Sequence, residues 1–256
     1  AKVPLASTDE LNKAVEIAAA AQPAWASVNP QRRARVMMKF IELVNAHTEE
    51  LAELLSLEHG KTIPDAKGDI QRGIEVIEFA IGIPHLLKGE YTEGAGSGID
   101  VYSLRQPLGV VAGITPFNFP AMIPLWMSPI ALACGNTFVL RSQLARCGAE
   151  DPIVSRVRNG DLVFAGYSAG ACVASPTLRG VETADDPADV EAVGGDVVWS
   201  GLGLIDTAVV PHYGSILDDT DAARSMVARF EREQIDHLTL TDEQVIVVDG
   251  DRFERI

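Results

Sequence analysis

The sequence predicts an α/β protein, helix-rich in its first half and built on parallel strands of the buried type in its second. Three observations predict this. Apolar residues recur at helical spacing from Leu11 to Ile81, the pattern of helices that bury one face. Residues 109–114, Gly-Val-Val-Ala-Gly-Ile, form a continuous apolar run of the kind found in strands covered on both faces. Gly166-Tyr167-Ser168-Ala169-Gly170 lies between the apolar run 162–165 and the helix-like run 171–174, the setting of a strand–turn–helix elbow.

The elements follow in order. Thr8-Asp9-Glu10 marks a helix start, and Leu11, Val15, Ala18 and Ala19 form a stripe that fades near Pro23 to Trp25. Val36, Phe40, Leu43 and Val44 mark a second helix. Leu51, Leu54 and Leu55 mark a third, and Ile70, Ile74, Ile77 and Phe79 a fourth. Residues 94–98, Gly-Ala-Gly-Ser-Gly, read as a flexible turn, because a phosphate cradle needs a strand before it and a helix after it. Residues 101–104 alternate as a strand, and the buried strand 109–114 follows. Residues 120–133 read as a helix, kinked by Pro129 and ended by Gly135-Asn136.

From Thr137 to Arg146 the spacing of Phe138, Arg141, Leu144 and Ala145 predicts another helix, with Asn136 or Thr137 as its cap. The opposing strand preference of Thr137 and Val139 is only on the order of 1 kcal/mol. Further on come a helix near 151–158, a strand at 162–165, the elbow helix and a strand at 207–210. A helix near 219–233 and strands near 237–240 and 244–249 complete the chain.

Charge narrows the function classes. The net charge of −15 is uneven: residues 1–134 carry 11 basic and 15 acidic residues, and the remaining −11 falls on residues 135–256. Such acidity argues against nucleic acid or an anionic membrane surface as partner. The three cysteines, 134, 147 and 172, have neither disulfide-framework numbers nor metal-ligand spacing, so no metal is expected and the thiols read as reduced and cytoplasmic.

The chemistry concentrates in the second half. A G-x-S-x-G turn exposes its serine at a helix start, where backbone N–H groups face developing negative charge. Ser168 is therefore the candidate nucleophile, and it needs a base and an orienting acid. His212 follows the 207–210 strand and is placed to reach an elbow at the same sheet edge. Between them lie Glu182, Asp185, Asp186 and Asp189, one of which would complete the order serine, acid, histidine.

From Gly135 onward the chain resembles the peptidase E family, serine peptidases of the class I glutamine-amidotransferase-like fold that cleave aspartyl dipeptides. The resemblance is carried by Gly135-Asn136-Thr137-Phe138, the Gly166 to Ala171 elbow, Ser175-Pro176-Thr177-Leu178-Arg179 and Pro211-His212-Tyr213. It implies Ser168 as nucleophile, His212 as base and Glu182 as acid, with Asp185 as second choice. It also implies Gly135 and Ala169 as oxyanion-hole donors, although Ala133-Cys134 stand where the family has two glycines. Arg179 is the candidate for a substrate carboxylate, with a plain surface role equally open. A small peptide substrate and no cofactor are expected, and oligomeric state is left open.

The first half resembles the CoA-acylating methylmalonate-semialdehyde dehydrogenases of the aldehyde dehydrogenase family. Residues 114–120 (Ile-Thr-Pro-Phe-Asn-Phe-Pro), 58–62 and 82–90 carry this resemblance, which runs to about Leu140. It implies that Asn118 stabilises a thiohemiacetal oxyanion and that residues 115–117 line a nicotinamide cofactor. Arg141 stands where a ribose-binding lysine is expected. The dehydrogenase-like part would end before that family's cysteine nucleophile and general-base glutamate, making Asn118 vestigial, and Cys134 matches only a packing position.

Both resemblances fit the string Gly135 to Leu140, and no linker separates them. The chain, starting in mid-pattern with Ala1-Lys2-Val3-Pro4, reads as a crossover between two genes or an artefact of assembly. The expected architecture is an incomplete parallel sheet of the glutamine-amidotransferase-like type (135–256) joined to a helix-rich aldehyde-dehydrogenase fragment (1–134). A serine hydrolase of low activity is favoured over a dehydrogenase fragment or an inactive chimera.

Overall fold

The structure is a computed structural model that describes residues 7–116, 118–141, 150–183, 187, 197–215 and 221–256. The chain divides into two compact units, Ala1–Cys147 and Gly148–Ile256.

In the first unit, helices α1 (Thr8–Ala26), α2 (Pro30–Ala46), α3 (Thr48–His59) and α4 (Ile63–Ile81) form where the four apolar stripes predict them, although Val36, Leu43, Leu51, Leu54 and Phe79 of those stripes are exposed, and a single turn, α5 (Ile83–Leu86), follows. Their starts obey local chemistry. The Ser7 hydroxyl accepts from the Glu10 amide while the Glu10 carboxylate accepts from the Ser7 amide, a reciprocal cap. Asn29 and Thr62 cap α2 and α4, each with a proline in the first turn. Ile70, Ile74 and Ile77 of α4 pack with Met37 and Val44 of α2 as the core of this layer.

An antiparallel hairpin comes next, β1 (Tyr91–Gly96) and β2 (Ile99–Tyr102), exposed along its whole length. The stretch read as a flexible turn thus holds the end of a strand. Asp100 is what orders it: its carboxylate accepts from the Gly94 amide and the Tyr91 hydroxyl, both at 2.9 Å. Those two donors, the amide foremost, hold the Asp100 carboxyl below its ordinary pKa.

Strand β3 (Val110–Ile114), helix α6 (Met122–Ala133) and strand β4 (Thr137–Arg141) form a parallel crossover unit. The register runs from Val110 opposite Thr137 to Ile114 opposite Arg141. The helix expected from Thr137 is therefore corrected to a strand over 137–141, while residues 142–146 of that expectation lie outside the described residues. The cause is upstream. Gly135, at φ +91, donates its amide to the Leu132 carbonyl, and the Asn136 amide reaches Ala131, both at 3.0 Å, which ends α6 on a left-handed glycine. Asn136 then turns its side chain back. Its Oδ1 accepts from the Leu108 and Gly109 amides at 2.7 and 3.0 Å, and its Nδ2 donates to the Ala131 carbonyl. An asparagine so engaged cannot cap a following helix. Thr137 is held as well, its hydroxyl donating to the Ala18 carbonyl of α1.

In the second unit, helix α7 (Glu150–Arg158) and the short elbow helix α8 (Ala169–Ala174) precede a parallel pair, β5 (Ala208–Val210) and β6 (His237–Thr239). Helix α9 (Ala222–Glu233) connects them and packs Ala223, Met226 and Phe230 against Ala208 and Val210. A terminal hairpin, β7 (Ile246–Asp249) and β8 (Arg252–Arg255), ends the chain; its second strand had no counterpart in the sequence pattern.

The strand expected at 162–165 has no ladder among the described residues. Leu162 and Phe164 are half-buried while Val163 and Ala165 are exposed, an extended alternation without a partner. At Val209, the middle residue of β5, one edge is filled by side chains. The Val209 amide donates to the Ser175 hydroxyl at 2.9 Å, and the Cys172 thiol donates to the Val209 carbonyl at 3.5 Å.

The two elbow glycines differ in kind. A Cβ on Gly166 would stand 2.2 Å from the Gly170 carbonyl oxygen, whereas a Cβ on Gly170 would meet nothing within 4 Å. Gly166→Ala is expected to lower unfolding stability by about 1–3 kcal/mol. Gly170→Ala, at a helical position, should raise it by roughly 0.5–1 kcal/mol. Equal effects of the two in chemical denaturation would refute the close backbone approach. In the first unit, Asn136→Ala leaves the Leu108 and Gly109 amides without their acceptor, and a loss of about 1–3 kcal/mol is expected in the same assay.

Candidate active site

Two parallel strands and one elbow bring the reactive groups together. Because β5 and β6 run in parallel, the segments that leave their C-terminal ends emerge at the same edge. The Leu240 amide donates to the Val210 carbonyl and the Tyr213 amide to the Leu240 carbonyl, both at 2.9 Å, lacing the two segments together. His212 sits on the segment after β5, and Asp242 on the turn after β6. Ser168 stands just before the first residue of α8 with its side chain free of any capping bond, and the bonds joining Ser175 and Cys172 to Val209 tie that helix to β5.

Ser168 has φ 54° and ψ −124°, and His212 has φ 59°. Both are left-handed conformations that side chains adopt only at a cost of about 1–3 kcal/mol each. Ser168 Oγ lies 2.9 Å from His212 Nε2, and His212 Nδ1 lies 2.6 Å from Asp242 Oδ1. A carboxylate only accepts, so the proton on the ring belongs to Nδ1, and the Nε2 lone pair is left for the serine hydroxyl. The Asp242 carboxyl is held below its ordinary pKa, first by the donated Ser215 hydroxyl and then by His212. Tyr167 packs its ring edge-on against the His212 imidazole, 82° between planes and 5.6 Å between centroids.

The acid is the point at which sequence and structure part. Glu182 does not reach His212. One of its oxygens accepts from the Gly180 amide at 2.6 Å and the other pairs with Arg229. This fixes a turn in which Gly180, at φ +103, lies against Met226 and Phe230, where a Cβ would collide. Glu182 thus braces the α9 core. Asp185, Asp186 and Asp189 lie outside the described residues. Asp242 occupies the orienting position instead. The signal that could have found it is the one used for His212, a polar residue just past the end of a parallel strand.

The other candidates distribute as follows. Ala169 directly follows Ser168 as the first residue of α8. Gly135 belongs to the first unit, and its amide is occupied by the Leu132 carbonyl, so the expected oxyanion role is corrected: that N–H closes a helix. Arg179 lies 5.1 Å over the Trp199 ring, a cation–π contact. Asn118 is exposed on the bend after β3. Burial pushes the Cys134 thiol up from its ordinary pKa, against the opposing charge of Arg33, so the neutral thiol is favoured. Arg141, where the resemblance leads one to expect a ribose-binding lysine, stands opposite Ile114 at the end of the β3–β4 ladder. Among the described residues no cluster of His, Cys, Asp and Glu could hold a metal ion, and no helix is long and apolar enough to cross a membrane.

Comparison with known proteins gives two answers along one chain. Residues 1–147 match the aldehyde dehydrogenase family, and residues 124–256 match Peptidase family S51. The malonate-semialdehyde dehydrogenase of Pseudomonas aeruginosa is 54% identical over 140 residues, which cover 55% of this chain and 28% of that protein. A probable methylmalonate-semialdehyde/malonate-semialdehyde dehydrogenase of Dictyostelium discoideum is 44% identical over 172 residues, 62% of this chain and 33% of its own. Among solved structures, methylmalonate-semialdehyde dehydrogenase from Oceanimonas doudoroffii superposes with a TM-score of 0.53 at 53% identity, over 54% of this chain and 28% of that one. A putative methylmalonate-semialdehyde dehydrogenase from Sinorhizobium meliloti, complexed with NAD, gives 0.54 at 60% identity, over 62% and 33%. The chain therefore spans no more than 33% of the length of these relatives. It belongs to two families, joined as in a chimera: the aldehyde dehydrogenases in its first part and Peptidase family S51 in its second.

Proposed function

We propose that the second unit is a serine hydrolase of the aspartyl dipeptidase type, with Ser168 as nucleophile, His212 as base and Asp242 as orienting acid. The observation that carries the reading is the unbroken hydrogen-bonded series from Ser168 Oγ through both ring nitrogens of His212 to Asp242. Membership of Peptidase family S51 supports it. The parallel β5–β6 pair, with its reactive residues past the strand ends, is compatible with a glutamine-amidotransferase-like sheet.

The chemistry follows from the proton positions. Ser168 Oγ attacks the amide carbonyl carbon as its proton passes to His212 Nε2, and the carbonyl π pair moves onto oxygen. Asp242 stabilises the resulting imidazolium through Nδ1–H without taking the proton. The Ala169 amide, next to the nucleophile, is our candidate donor to the oxyanion. Collapse breaks the C–N bond, and His212 returns the proton to the leaving amine. Water, deprotonated by His212, then attacks the acyl-enzyme and releases Ser168. For the substrate, a small peptide with an acidic side chain, Arg179 offers a cation, oriented by Trp199.

A fluorophosphonate probe should label the wild-type chain and leave Ser168→Ala unlabelled; a folded wild type that takes no label would refute the hydrolase. Asp242→Asn should slow labelling on the order of 1,000-fold or more by favouring the wrong tautomer. Glu182→Gln should stay within roughly twofold, as expected of a residue outside the series. If Glu182→Gln lost the rate and Asp242→Asn kept it, the assignment of the acid would be reversed.

The dehydrogenase match calls for its own measurement. Asn118 can serve an oxyanion only after a thiolate has attacked an aldehyde, and Cys134 is held as a thiol. With NAD, CoA and methylmalonate semialdehyde, the chain is expected to yield no NADH above background. Turnover abolished by Cys134→Ser would overturn that expectation.

A further inference from the structure

The orienting acid is itself in need of orientation. Asp242 stands on a turn, with its side chain 32% exposed, and a carboxylate there rotates unless both oxygens are engaged. His212 takes Oδ1, and the Ser215 hydroxyl donates to Oδ2. Ser215 and His212 belong to one turn, closed by the Ser215 amide donating to the His212 carbonyl at 3.0 Å. A single turn after β5 therefore grips both oxygens of the carboxylate that follows β6, once with an imidazole and once with a hydroxyl.

We propose that Ser215 is a positioning residue for this site: by holding Asp242 Oδ2 it keeps Oδ1 facing His212 Nδ1. The proposal rests on the hydrolase reading for its kinetic consequence, while the contact itself has a separate readout. Ser215 lies one residue removed from the series, bonded to Asp242 and to the His212 carbonyl. Its hydroxyl reaches the series through Asp242, so the kinetic effect of removing that hydroxyl should disappear when the carboxylate is removed.

A double-mutant cycle on fluorophosphonate labelling tests this. Ser215→Ala is expected to slow labelling on the order of 10-fold, as a loosened geometry would. Ser215→Thr, which keeps the hydroxyl, should restore most of the rate. In the Asp242→Asn background, adding Ser215→Ala should cost less than about twofold, because the two residues act as one unit. A full additive loss in that background would show that Ser215 merely supports the fold and would overturn the proposal. The second readout needs no activity. Followed by carboxyl-carbon NMR, the Asp242 titration in the full chain should move up toward the ordinary carboxylate range in Ser215→Ala and stay low in Ser215→Thr. An Asp242 titration unmoved by Ser215→Ala would overturn the proposal even where labelling succeeds. If the wild type takes no label, the hydrolase fails, and this titration alone decides the Ser215 contact.

Discussion

Helix α6 is held at both ends by side chains from elsewhere in its unit, and the architecture of that unit depends on this. Its sequence is almost wholly apolar, so nothing of its own can satisfy its terminal amides and carbonyls. At the start, Asp69 of α4, 1% exposed, accepts from the Met122 amide at 2.8 Å, and Lys61 lies 3.4 Å from its other oxygen. At the end, Arg33 donates to the Ala133 carbonyl at 3.0 Å and Trp25 to the Leu132 carbonyl at 2.9 Å. The same guanidinium reaches the carbonyls of Ala26 and Val28. A buried charge is tolerable only when its donors are met, and here three backbone carbonyls from two segments meet them. Helices α1, α2 and α4 thus define where α6 begins and ends, and Asn136 carries that definition into β3 and β4.

The second unit solves a different problem, setting a distance between two loops and a turn. Parallel pairing fixes where His212 and Asp242 emerge. The bonds from Cys172 and Ser175 to Val209 fix the elbow helix against the same strand. Each contact is modest, roughly 0.5–1.5 kcal/mol net for an ordinary hydrogen bond. Together they hold three side chains within hydrogen-bonding reach across 74 residues of chain from Ser168 to Asp242.

Much of this was legible. The four helical stripes, the elbow serine and the histidine past its strand all stood in the sequence, because each rests on local periodicity or on turn chemistry. Two kinds of information were not local. Residues 137–141 have a spacing that suits a helix, but β3 offers a ladder and Asn136 is committed backwards, and neither fact is visible in those five letters. The order serine, acid, histidine points to Glu182 rather than to Asp242, whereas spatial neighbours need not respect chain order. The hairpin strand β1 depended on Asp100 reaching back to Gly94 and Tyr91, which no alternation of apolar residues announces.

The left-handed torsions at Ser168 and His212 set stability and reactivity against each other at the same two residues. Replacing either by glycine would relax the backbone, and would also delete the hydroxyl or the imidazole. Under the proposed hydrolase mechanism, stability gained at these two residues would come at the loss of chemistry. These two turns therefore cannot be relaxed without giving up the groups they present.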